Sequence, residues 1–164
     1  MEQLRICSEE PKLIKTCAFT GHRKLEEDFS AEKLLEETEK MILRGAETFY
    51  NGMAMGFDLL AAETVLFLKK KYPYIRLVTC VPCYGQERHF RAEDKQRYTE
   101  ILKRADEQVV LSEHYYQGCM QVRDKYMADR ADALIGYCKK DKGGAAYTVG
   151  YFRKKYPEKP YVSL

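Results

Sequence analysis

The residues of this chain that could hold a phosphate are glycines and arginines placed where apolar runs end. Tyr50-Asn51-Gly52-Met53-Ala54-Met55-Gly56-Phe57-Asp58 separates a short apolar run, Ala46 to Tyr50, from an apolar stretch of helical period, Leu59 to Lys71. A strand–loop–helix unit of this kind aims backbone N–H groups and the positive end of a helix at one spot, which suits an anion. The spacing, Gly-x-x-x-Gly-x-Asp, is neither the dinucleotide fingerprint nor a Walker loop. A turn that merely needs glycines reads the same, so this loop alone leaves both readings open. Asp58 is either the N-cap of the following helix or an acceptor for a ribose hydroxyl.

The elements that must position this loop alternate along the chain. Lys15 to Thr20 reads as a strand broken by Gly21-His22-Arg23-Lys24. Ser30 is placed to cap a helix running to Arg44, with Leu34, Leu35, Thr38, Met41 and Ile42 on one face and Gly45 as its stop. Further strands are expected at Ile75 to Val81, Gln108 to Leu111, Ala133 to Tyr137 and Pro160 to Leu164. Further helices are expected from Ala92 to Arg104, Met120 to Arg130 and Ala145 to Lys155. Strict alternation with long crossovers predicts an α/β fold: a doubly wound, mostly parallel sheet between two helix layers, a three-layer α/β/α sandwich. Residues 15–164 form one domain in this reading, and 1–14, which lack a clear period, an N-terminal extension.

In such sheets ligands bind at the carboxyl ends of the strands. The unusual residues all fall there. Thr20-Gly21-His22-Arg23, Gly52 to Asp58, Gly85-Gln86-Glu87-Arg88, Tyr115 to Arg123 and Gly143-Gly144 follow successive strands. That convergence argues for a ligand site more strongly than any one loop does.

Composition sets the outer limits. With 45% hydrophobic and 32% charged residues the chain reads as a soluble globular domain, and a net charge of +3 gives little support to a polyanionic partner. The longest apolar stretch, Leu59 to Leu68, contains Glu63 and is too short to cross a bilayer. Charges at Glu2, Arg5, Glu9 and Glu10 leave no apolar leader, so the expected address is the cytoplasm. Cysteines at 7, 17, 80, 83, 119 and 138 read as reduced thiols. Cys80-Val81-Pro82-Cys83 has redox or half-zinc spacing, but Cys80 ends a strand and no second ligand pair follows. His89 and His114 have no ligand-like neighbours in sequence, and no metal site is expected.

Individual residues carry two readings each. Arg23 and Arg88 either pair with phosphate through a guanidinium fork or are solvated. Arg123 either serves the site or pairs with Asp124 or Asp129. His22 orients a ligand or acts as an acid or base. Tyr84, Tyr115, Tyr116 and Tyr147 lie in or beside these loops and could stack on a base, although a chain with thirteen tyrosines places some there by chance. The lysines at 69–71, 139–142 and 153–155 read as solvated helix ends and a loop.

Taken in order, Thr20-Gly21-His22-Arg23, Gly52 to Asp58, Pro82-Cys83-Tyr84-Gly85-Gln86-Glu87 and Gly143-Gly144-Ala145-Ala146-Tyr147-Thr148 resemble the YpsA/YoqJ-like bacterial family of the SLOG superfamily. The superfamily comprises Rossmann-like domains and includes the Smf/DprA DNA-uptake proteins and the cytokinin-activating LOG enzymes. The resemblance implies a site for a nucleotide or nucleotide-derived ligand, with its phosphate on the two glycine loops. The implied ligand set is Thr20, Gly21, His22, Arg23, Gly52, Met53, Gly56, Asp58, Gln86, Arg88, Arg123, Gly143, Gly144 and Ala145, with no required cofactor. Candidates for a catalytic role are Asp58, Glu87 and Arg123. Nucleic acid is not the expected partner, though a Smf/DprA-like single-stranded DNA-binding module is the alternative, and an oligomer is compatible. The LOG enzymes cleave nucleoside monophosphates to base and ribose 5-phosphate. Arg123, Met127, Ala131-Asp132, Leu134-Ile135 and Gly143-Gly144 match their pattern, but Ala146 and Tyr147 replace Gly-Thr. Val149 and Gly150 stand where the two glutamates would be. An alkyl group cannot stabilise charge on the ribose or activate water, so such cleavage is expected to be absent or very slow.

Overall fold

The computed structural model describes residues 13–164. Strands β1 (Thr16–Gly21), β2 (Thr48–Asn51), β3 (Arg76–Val81), β4 (Glu107–Val110), β5 (Ala133–Tyr137) and β6 (Tyr161–Ser163) alternate with helices. These are α1 (Ala31–Leu43), α2 (Phe57–Leu68), α3 (Ala92–Arg104), α4 (Cys119–Arg130) and α5 (Gly144–Lys155). The six strands pair in the order β4-β3-β2-β1-β5-β6, and every pairing is parallel. All carboxyl ends therefore lie on one edge, as the alternation requires. The strand order reverses between β1 and β5, because the chain builds outward to β4 and then crosses back.

Alternation along the central strands divides the core. Cys17 and Phe19 of β1 point into a cluster with Leu34 and Met41 of α1, Leu59 and Val65 of α2 and Ile101 of α3. Ala18, between them, points the other way, into a cluster with Met127 and Ala128 of α4 and Phe152 of α5. The result is three layers with α1, α2 and α3 on one face of the sheet and α4 and α5 on the other. α2 is buried along nearly its whole length because α1 and α3 flank it. That accounts for an apolar sequence with little amphipathic contrast.

Local signals explain several boundaries. Ser30 caps α1 by accepting the Lys33 N–H at 3.1 Å. α2 begins at Phe57 rather than Leu59, so the expectation that Asp58 caps it is corrected: the N-cap is Gly56 and Asp58 is the helix's second residue. An unexpected 3-10 turn, Gln86–His89, follows β3. Most of the expected N-terminal extension lies outside the described residues, but Ile14 is buried in the first core cluster. Among the described residues no helix is long and apolar enough to cross a membrane.

Candidate functional site

The carboxyl edge holds an open cavity of about 1030 Å³. Its walls come from three loops and one helix end: Arg23 after β1; Cys83, Tyr84, Gly85, Gln86, Arg88 and His89 after β3; Glu113, His114 and Tyr115 after β4; and Met120 of α4. Tyr84 and Tyr115 are 63% and 67% exposed, and a tyrosine ring open to solvent can take up a planar group. Gly85, at φ 78°, makes the bend that turns the β3 loop back toward the edge.

Of the residues expected to bind ligand, Arg23, Gln86 and Arg88 line this cavity. A second group lies underneath it as a fastening. Gly52 is buried, and its carbonyl accepts hydrogen bonds from Arg123 Nη1 and from Gln86 Nε2, the latter at 3.1 Å. Arg123 is 6% exposed and donates Nε–H to Asp124 at 2.7 Å. The ion-pair reading of Arg123 therefore holds for Asp124 and not for Asp129, which instead accepts from Tyr151, Lys155 and Tyr156. Met53, fully buried at φ 60°, donates its N–H to Asn51 Oδ1 at 2.8 Å. Gly21 lies against the Phe57 ring and Gly56 against the Arg23 carbonyl, so neither has room for a side chain. Thr20 is buried in β1.

Asp58 belongs to this buried group. Its Oδ2 accepts the Ala54 N–H at 3.2 Å, and its Oδ1 has no partner among the described residues. Burial pushes its carboxyl up to about 7, against the opposing pull of the Arg123 charge and the Ala54 N–H. Gln86 Oε1 is a second buried acceptor without a partner among the described residues. Glu87, in the 3-10 turn, is half-buried and is not part of the cavity wall.

At the point where the strand order reverses, the imidazole of His22 accepts the Lys139 N–H on Nε2 at 2.7 Å. Burial, reinforced by the nearby Lys140 charge, holds His22 below its usual range, which keeps Nε2 free to accept. His22 thus joins the β1 loop to the β5 loop. Gly143 and Gly144 stand apart, on a separate open depression of about 540 Å³ shared with Gln121, Lys142 and Tyr147. Ala145 is buried behind them.

Met120 falls in the Tyr115 to Arg123 stretch expected at this edge, but His89, His114 and Glu113 are residues that the sequence reading did not place in a site. Nothing local marks them, since they meet only because β3 and β4 are neighbours at the sheet edge. The Cys80-x-x-Cys83 spacing does not produce a pair. Cys80 is buried in the second core cluster with its thiol pushed up to about 12 by burial, whereas Cys83 lines the cavity, its thiol also pushed up by burial. Val149, at a position where LOG enzymes carry glutamate, packs against that same cluster.

Residues 18–163 match the family described as the YspA SLOG family. The chain belongs to the YspA SLOG family. Similar YspA SLOG relatives include a UPF0398 protein of Halalkalibacterium halodurans, 30% identical over 124 residues, which are 74% of this chain and 66% of that one. The SPbeta prophage-derived YoqJ of Bacillus subtilis is 29% identical across 76% of this chain and 81% of its own. YpsA of the same organism is 26% identical across 90% and 89%. The chain spans just under two thirds of the Halalkalibacterium protein. Among solved structures the fold is similar to DNA processing protein A of Streptococcus pneumoniae, with a TM-score of 0.64 and 15% identity. That match covers 91% of this chain and 50% of the other. DNA processing protein A of Helicobacter pylori, whose structure describes a single-stranded DNA binding mode, matches with a TM-score of 0.63 and 20% identity, over 91% and 64%. At these identities the two structures support the fold of the YspA SLOG chain.

Proposed function

We propose that this protein binds a nucleotide-derived, phosphorylated small molecule in the cavity at the carboxyl edge. The observation that carries the reading is the convergence of Arg23 and Arg88 with the exposed rings of Tyr84 and Tyr115, from three separate loops, on one cavity. Guanidinium forks match phosphate oxygens, and tyrosine faces match a base. The depression at Gly143-Gly144 offers a second anion position, where the first turn of α5 has no side-chain cap on its N–H groups. Hydrolysis of a nucleoside monophosphate is not part of this reading, because Val149 and Gly150 offer no carboxylate where the LOG pattern places one.

The test is thermal unfolding with a panel of nucleoside mono- and diphosphates and ADP-ribose. At least one is expected to raise the unfolding temperature, and Arg88→Ala and Tyr115→Ala are expected to weaken that response. If no member acts at millimolar concentration, the reading fails. A second reading, single-stranded DNA binding, draws on the Helicobacter relative and on the same mixture of arginine and tyrosine in the cavity. Its signature would be tight oligonucleotide binding that weakens steeply with salt. Weak binding at physiological salt favours the small-molecule reading.

A further inference from the structure

Arg123 is a buried cation with one arm unfinished. Nε is committed to Asp124 and Nη1 to the Gly52 carbonyl, whereas among the described residues Nη2 meets only the thioether of Met120, with Sδ at 3.8 Å. A thioether is a weak acceptor for a guanidinium N–H. Met120 also lines the cavity, so the residue that contacts that N–H borders the space where the proposed ligand binds. Met120 is unbranched and half-buried at the first turn of α4, and a methionine changes rotamer at small cost.

The geometry points to Met120 as a displaceable cap over Arg123: an anionic oxygen entering the cavity swings the thioether aside and takes the Nη2 donor. The inference rests on the small-molecule reading of the same cavity and adds how its anion is anchored. Two features make Arg123 suited to the task. Its ion pair with Asp124 and its bond to Gly52 hold the guanidinium plane in place, so the anion would meet a pre-positioned donor. The exchange also replaces a sulfur contact with a charge-assisted hydrogen bond in a buried setting. A closed cap lowers the fraction of molecules ready to bind, and removing it should raise the apparent affinity.

Inorganic pyrophosphate serves as the probe, with affinities read by calorimetry at constant ionic strength. Met120→Ala is expected to bind it about fivefold tighter than the parent, while Met120→Leu, which keeps the bulk, is not. Adding Arg123→Lys to Met120→Ala is expected to cancel the gain, because a lysine lacks the fork that reaches past Gly52. Because Arg123 also supports the fold, a measurement on the unmutated protein stands beside the variants. The methyl resonance of Met120, labelled with carbon-13, is expected to shift on addition of pyrophosphate. Equal affinity in parent and Met120→Ala, a gain that survives Arg123→Lys, or an unmoved Met120 methyl in the loaded protein overturns the cap. If a nucleotide still stabilises the protein in that case, the binding reading survives without it. If neither pyrophosphate nor any nucleotide binds parent or variant, both fail.

Discussion

Gly52 to Gly56 and Gly143-Gly144 are two of the glycine-bearing turns of the carboxyl edge, and the fold uses them in opposite ways. The first is sealed. A side chain on Gly52 would meet the Arg123 guanidinium at 2.9 Å, and one on Gly56 would run into the Arg23 carbonyl oxygen. The second is open: among the described residues, chain neighbours and the backbone of the helix itself apart, no heavy atom lies within 4 Å of where a side chain would start on either Gly143 or Gly144. Glycine in the first turn lets parts of the protein approach one another. In the second it leaves room outside the protein. The same residue type therefore supports stability at one strand end and access at another.

Substitutions can break that contrast. The largest effect is expected for Gly56→Ala, which combines φ 81° with a direct clash on backbone. Urea unfolding should show a loss of about 3 kcal/mol or more. Gly52→Ala should follow, at about 2 kcal/mol, because the new methyl pushes the guanidinium away from the carbonyl it bonds. A Gly52→Ala protein as stable as the parent would mean that Arg123 has another place to go.

Asp58 sharpens the picture of a sealed turn. Its carboxyl titrates at about 7, above the ordinary carboxylate range, because burial opposes the charge. Between that range and pH 7 the folded state holds a proton that the unfolded chain has released. Stability from this group therefore falls as the pH rises through the window and levels off above pH 7. Asp58→Asn should flatten that slope and gain on the order of 1–2 kcal/mol at pH 8, read from unfolding curves across the pH series. A variant with the parent's slope would place the titration elsewhere. The smallest effect is expected for Gly144→Ala, within about 0.5 kcal/mol of the parent and in the stabilising direction, since alanine favours a helix start over glycine. A large loss there would show that the open turn is also packed.

Much of the architecture was legible locally. The α3 bounds, Ala92–Arg104, follow from the polar period of that stretch, and the Ser30 cap and the β-branched β3 run were equally plain. The shared edge of the loops followed from strict alternation, because parallel strands put every strand-to-helix turn on one side. Of the two readings of Asp58, the cap fails because Gly56, at φ 81°, turns the chain early enough for Phe57 to open the helix.

The chain's own residue pattern determined the class of fold, the parallel sheet and the edge on which its chemistry gathers, since periodicity and turn residues act over a few neighbours. Only the tertiary structure decided which loops meet. Strand order sets the β3 and β4 loops side by side, and the Tyr84, His89, His114 and Tyr115 they carry share a cavity with Arg23 of the β1 loop. Packing of α4 against the sheet decided that Arg123 turns inward to Gly52 and leaves one donor under Met120. The Arg123–Gly52 bond joins residues 71 positions apart, and no local spacing encodes a meeting that depends on the path of the whole chain.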